Sequence, residues 1–138
     1  MSRPSLALAL CALALPWCLP ACDSRDAEVA ASAGQVARAI EALRNSPNDA
    51  KRAPLEALAK TTCASPEVCA VRDLCQAAYK LHVEAVELTQ MAKSAMAEGK
   101  TPRASQLASS AQQSLSLAAG QVESCIQREG ELRHRFKL

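Results

Sequence analysis

Aromatic side chains are almost missing: the 138 residues hold one Trp, one Tyr and one Phe. Stacked bases need such platforms, and a formal charge of only +2 offers no basic field to a polyanion. A nucleic-acid partner is therefore not expected. Histidine is nearly as scarce, with only His82 and His134, far apart along the chain. There is no Cys-x-x-Cys-His run for attached haem, no phosphate-cradling loop and no Gly-x-Ser-x-Gly elbow. No nucleophile has a base at a usable spacing, so no catalytic residue is assigned and the chain is not expected to be an enzyme. Long apolar runs are absent too. The longest, Leu6 to Leu15, is about half of the roughly 20 residues that cross a bilayer core.

That short run has a different meaning. It follows a brief start carrying Arg3 and precedes Pro16 and Pro20, which break it where a cleavage site belongs. A positive start, a short apolar stretch and then small residues make a signal peptide, here residues 1–21. Leu19-Pro20-Ala21-Cys22 resembles the lipobox of bacterial lipoproteins, with Leu three before the Cys and a small residue just before it; Pro20 stands where Ala, Ser or Thr is commoner. The resemblance covers the first 22 residues. It implies that Cys22 receives a diacylglyceryl thioether and, after cleavage, an N-acyl chain, which would hold the protein to a membrane of the cell envelope, facing the periplasm. Asp23 implies, by likeness to enterobacterial lipoproteins, retention in the inner membrane, but that rule varies between bacteria and the choice of membrane stays open.

Cysteine supports this independently. Of seven, at 11, 18, 22, 63, 69, 75 and 125, signal removal takes two and lipidation occupies Cys22. Cys63, Cys69, Cys75 and Cys125 remain, an even set that in an oxidising compartment suggests two disulfides.

The rest of the chain is periodic. Val29, Ala33, Val36, Ile40 and Leu43 are spaced by fours and threes. So are Val71, Leu74, Ala78, Leu81, Ala85, Leu88, Ala92 and Ala95, and Ala104, Ala108, Ala111, Leu115, Ala118, Val122 and Cys125, whose phase Leu132 and Phe136 continue. Each set is one stripe of a helix, and no segment needs a strand. Asn45-Ser46-Pro47-Asn48-Asp49 is a turn cluster. Ser65-Pro66-Glu67 supplies a cap, a first-turn Pro and an acid at the positive helix end. Gly99 stops a helix and Thr101-Pro102 starts the next. The predicted helices are 25–44, 54–61, 66–98 and 102–129: an all-α antiparallel bundle of three long helices and one short. Residues 33–138 form its domain; residues 22–32 carry the lipid and are open to two readings, start of the first helix or short flexible tether.

The last two helices form a hairpin. Cys75 lies 23 residues before 98 and Cys125 lies 23 after 102. An unbroken antiparallel pair puts them level, with α-carbons within about 7 Å, the limit for a bridge. Cys75–Cys125 is then the natural disulfide and Cys63–Cys69 the other, although four thiols permit three pairings. A zinc site of four thiolates is the rival, but zinc favours close pairs such as Cys-x2-Cys, and the spacing here is Cys-x5-Cys-x5-Cys with one distant Cys. No metal or other cofactor is expected. His82 reads as a partly buried structural histidine, and Met91 and Met96 as packing rather than haem or copper ligands. Lys80, Glu84 and Glu87 read as a solvated face.

Two features point to partners. Residues 104–122 contain no charge, and Ser105, Ser109, Gln112, Gln113 and Ser116 give the 102–129 helix a small polar face on which another helix could dock. Arg128 and Arg133-His134-Arg135-Phe136-Lys137 make a basic end that could rest on anionic lipid heads. The expected function is that of a non-enzymatic structural or protein-interaction lipoprotein. The alternative is a periplasmic small-ligand or metal-binding module using His82, Met91, Met96 or the cysteines.

Overall fold

A computed structural model describes residues 21–138, with side chains from Ser24 onward. The signal segment through residue 20 and the Cys22 side chain lie outside the described residues. Four α-helices account for nearly all of the rest: α1 (Ala21–Asn45), α2 (Arg52–Lys60), α3 (Pro66–Ala97) and α4 (Thr101–Phe136), with a single 3-10 turn at Asn48–Ala50. There is no strand among the described residues.

The hairpin of α3 and α4 is the spine. Ser65 caps α3 by accepting the Val68 amide at 3.3 Å, with Pro66 in the first turn. At the far end Gly99 takes φ +73°, a left-handed conformation that costs glycine nothing. The Lys100 amide then donates to Ala95 O at 2.8 Å and the Gly99 amide to Met96 O at 3.0 Å, which closes a Schellman motif. Thr101 starts α4 at once. The two helices run back to back, and Cys75 and Cys125 meet with α-carbons 4.9 Å apart in a fully buried disulfide. Cys63–Cys69 bridges the lead into α3, α-carbons 5.2 Å apart.

On α4 the buried seam is a strict run of sevens: Ala104, Ala111, Ala118, Cys125, Leu132. On α3, Val71, Ala78, Ala85 and Ala92 repeat the same interval. Above the Cys75–Cys125 bridge this seam is nearly all alanine. Each alanine methyl adds roughly 0.8 kcal/mol, against roughly 2 for a buried Leu or Ile, so the upper hairpin is held by closeness of approach and by its covalent foot.

The bulky core sits below. Val36, Ile40 and Leu43 of α1, Leu58 of α2, Val68, Val71 and Tyr79 of α3, and Leu132 of α4 form one cluster with the Cys75–Cys125 pair. The Ser32 hydroxyl accepts the Ala64 amide at 2.9 Å, and Asn48 Oδ1 meets His82 Nε2 at 3.1 Å. From 32 to 48, therefore, α1 and the turn after it climb alongside α3 from just before its start to the level of His82, and there they end. Toward its own start α1 projects the other way: residues 24–31 are exposed or half-buried, and burial begins at Ser32. The result is a packed base with two projections. One is the first turns of α1; at the opposite pole stands the bare tip of the α3–α4 hairpin.

Several boundaries differ from the sequence reading. Residues 22–32, where helix and tether were both open, are helical. The second helix starts at Arg52 rather than 54. α4 runs on through Gly130 to Phe136, because Leu132 and Phe136 keep its stripe in phase and give seven further residues a core to pack on. Leu74, Leu81 and Leu88, expected in the α3 seam, are only half-buried, whereas Cys75, Tyr79 and Val83 are buried. In its lower half α3 is covered on two sides, by α4 and by the α1–α2 pair, so burial there spreads beyond a single stripe.

Candidate functional site

One line of α4 residues organises the surface: Ala108, Leu115, Val122, Glu129 and Phe136, seven apart. At the base this line is covered. Val122 and Phe136 pack against the core, and the Glu129 side chain, 2% exposed, receives Arg44 of α1. Above it α1 has ended, so Ala108 is exposed and Leu115 is 38% exposed. There the gap between the helices opens into a groove of about 530 Å³. Its walls are Thr89, Ala92, Lys93 and Met96 on α3, and Ser105, Ala108, Gln112 and Leu115 on α4. A smaller hollow of about 290 Å³ beside Asn48 and Asp49 shares Thr89, Lys93 and Leu115, so the groove is continuous with the end of the α1 track. Lys93 is the charged residue of the upper groove wall.

The base beneath is fixed by polar contacts that the sequence did not signal. Glu129 accepts from Arg44 and, at 2.8 Å, from Arg133, which also reaches Glu41 of α1 at 3.1 Å. Burial opposes the Arg44 charge, but hydrogen bonds to Glu129 and Tyr79 outweigh it and raise its pKa. A buried ion pair is weak evidence for net stability; what this one does is fix α1 in one register on α4. Lys51, 5% exposed, donates to Leu43 O, Arg44 O and Ser46 O at 2.7–2.9 Å and so satisfies two carbonyls of the last turn of α1 and one of the turn that follows it. Its ammonium also lies 5.8 Å from the Tyr79 ring centre.

The sequence-selected residues are placed as follows. Cys63, Cys69, Cys75 and Cys125 are paired as two disulfides, so the thiolates of the zinc alternative are taken. His82 is half-buried against Asn48. Met91 and Met96 are 47% and 58% exposed and line different hollows, one on each side of the hairpin. No group of three His, Cys, Asp or Glu suited to a metal occurs among the described residues. Lys80 pairs with Glu84 at 4.0 Å, while Glu87 turns to Arg52 of α2. Of the uncharged face, Ser105 and Gln112 line the groove; Ser109, Gln113 and Ser116 are exposed beside it. The basic end is partly spent inside the fold: Arg133 is held by Glu129 and Glu41, Arg135 by Glu67, and Arg128 by Glu131.

Burial, with the Lys51 charge a second cause, holds His82 below its ordinary pKa of 6.5. The unfolded chain therefore takes up a proton that the folded chain resists. The associated stability is complete above 6.5 and is lost as pH falls through that value toward the depressed folded one. Urea titrations at about pH 7.5 and about pH 5.5 should show a lower midpoint at the acid value, and His82→Gln should shrink the difference. An unchanged difference in the variant would assign the effect to other groups.

No family model, curated protein or solved structure matches this chain. No helix among the described residues is long and apolar enough to cross a membrane.

Proposed function

We propose that this chain is a non-enzymatic lipoprotein of the bacterial envelope, acylated at Cys22, whose α3–α4 hairpin is an arm that docks a helical protein partner. The observation that carries this is the polarity of the molecule. Position 22 lies at the start of the projecting end of α1, and the open groove lies toward the opposite pole, on the hairpin. An anchor at the first pole lifts the groove away from the lipid surface. A lining with Lys93 as its one charged side chain among the described residues, and with Leu115 and Met96 exposed, suits an apolar helix face better than a polar ligand or an ion. Two disulfides in so small a core agree with an exported, oxidising setting.

The anchor is tested first. A single acyl chain binds membranes only marginally, and stable attachment takes the two or more that this modification supplies. Cys22→Ser is expected to give either unprocessed precursor or protein in the soluble fraction, read by cell fractionation and intact mass. Membrane-bound, processed protein from this variant would end the lipid-anchor reading.

A further inference from the structure

The occupant of the groove is identified by what lies on either side of it. The line 122, 129, 136 of α4 is covered at the base, where Val122 and Phe136 pack on the core and Glu129 takes Arg44 of α1, and the same line continues upward through the exposed Leu115 and Ala108. The groove is the unfilled upper length of a track that already takes a helix. Its shape and lining suit a helix lying lengthwise along the hairpin, packed by small and apolar side chains.

We infer that this helix belongs to a second copy of the chain, and that two hairpins pair side by side through this face as a parallel four-helix arm. The inference rests on the anchored-arm reading above. Two copies held in one membrane by their bases point their tips the same way, so the two-fold axis runs along the arms. Residues near such an axis meet their own copies, as Leu115 meets Leu115 and Ala108 meets Ala108. A charge there would face a like charge. Over 104–122 α4 has none, although charged residues make up 22% of the whole sequence. Lys93, on the α3 wall, is exposed in the single chain, and its long stem lets the ammonium reach water beside a paired hairpin. A partner of different sequence would place no such demand on this face, and opposite charges would serve it equally well.

The size agrees. Some 15 residues of α3 and 17 of α4 stand above the level of His82, about 24 Å of length by about 20 Å of width for two helices. Two such faces bury on the order of 1,000 Å² in total, the lower bound for a specific interface. Confinement to one membrane raises the effective concentration enough for a contact of that size to persist.

The test uses the full-length chain in cells. A photo-reactive benzoylphenylalanine placed at Ala108 should, on irradiation, give an adduct with the mass of two chains. The same probe at Ser110, on the other side of α4, should not. Leu115→Glu should reduce the Ala108 adduct at least about tenfold by setting two carboxylates against each other, and helicity should be kept because Leu115 is already partly exposed. An adduct of any other mass at Ala108 would overturn the pairing of copies and leave the docking arm standing. Absence of any adduct at Ala108, or equal yields at 108 and 110, would overturn both.

Discussion

Cys75→Ala together with Cys125→Ala is expected to destabilise the protein by about 4 kcal/mol, the chain-entropy value for a closed loop of this size. The bridge spans 50 residues of sequence, enclosing the whole upper hairpin. Its effect is large here because of where it sits. Below it lies the bulky core; above it the helices touch through Ala78, Ala85, Ala92, Ala95, Ala104, Ala111 and Ala118. Without the covalent foot, the unfolded loop regains its freedom and the alanine seam alone must close the arm. Removing both cysteines avoids leaving a lone buried thiol. Urea unfolding under non-reducing conditions reads the difference. The gap between wild type and variant should close when both are reduced, apart from the local packing change. Equal stability under oxidising conditions, or a peptide map joining Cys125 to Cys63 or Cys69, would contradict the register.

Ile40→Ala is the second large effect, about 2–5 kcal/mol by loss of transfer energy and the cavity left behind. Ile40 is fully buried where α1 meets the hairpin. Leu117→Ala, in the arm and 55% exposed, should stay within about 0.5 kcal/mol. The pair of measurements locates the stability in the base. Were both substitutions equally costly, α1 would not be the clamp, and the arm would carry a core that the side-chain positions do not provide.

Much of this architecture was legible in the chain. The hairpin and its disulfide followed from counting residues outward from Gly99, since two uninterrupted helices must keep level. Helix starts at Ser65-Pro66 and Thr101-Pro102 were signalled by local chemistry. What periodicity could not supply was the identity of the partner for each stripe. Leu115 and Ala108 have the spacing of core residues and are exposed, because α1 stops at Asn45 and reaches no higher. Tyr79 and Val83 are off the expected stripe and buried, because α3 is packed on two sides. The burial of Glu129 and Lys51 gave no sign: charged residues are surface residues by default, the Glu129–Arg133 spacing reads as an ordinary exposed helix pair, and only the tertiary arrangement brings Arg44 to Glu129 and three orphan carbonyls to Lys51. The groove was half visible. The lack of charge over 104–122 marked the right helix, but the polar Ser and Gln residues drew attention to a face of which only Ser105 and Gln112 line it.

The matching sevens on α3 and α4 make the arm a graduated rod. Removing one interval from each helix would bring the tip about 10 Å nearer the base while every surviving alanine still met an alanine, and both disulfides and the α1 clamp lie outside the part removed. Adding an interval would lengthen it by the same step. How far such a rod stands off its footing is thus set independently of how firmly the footing is built, so that reach can be adjusted in whole notches without renegotiating the fold.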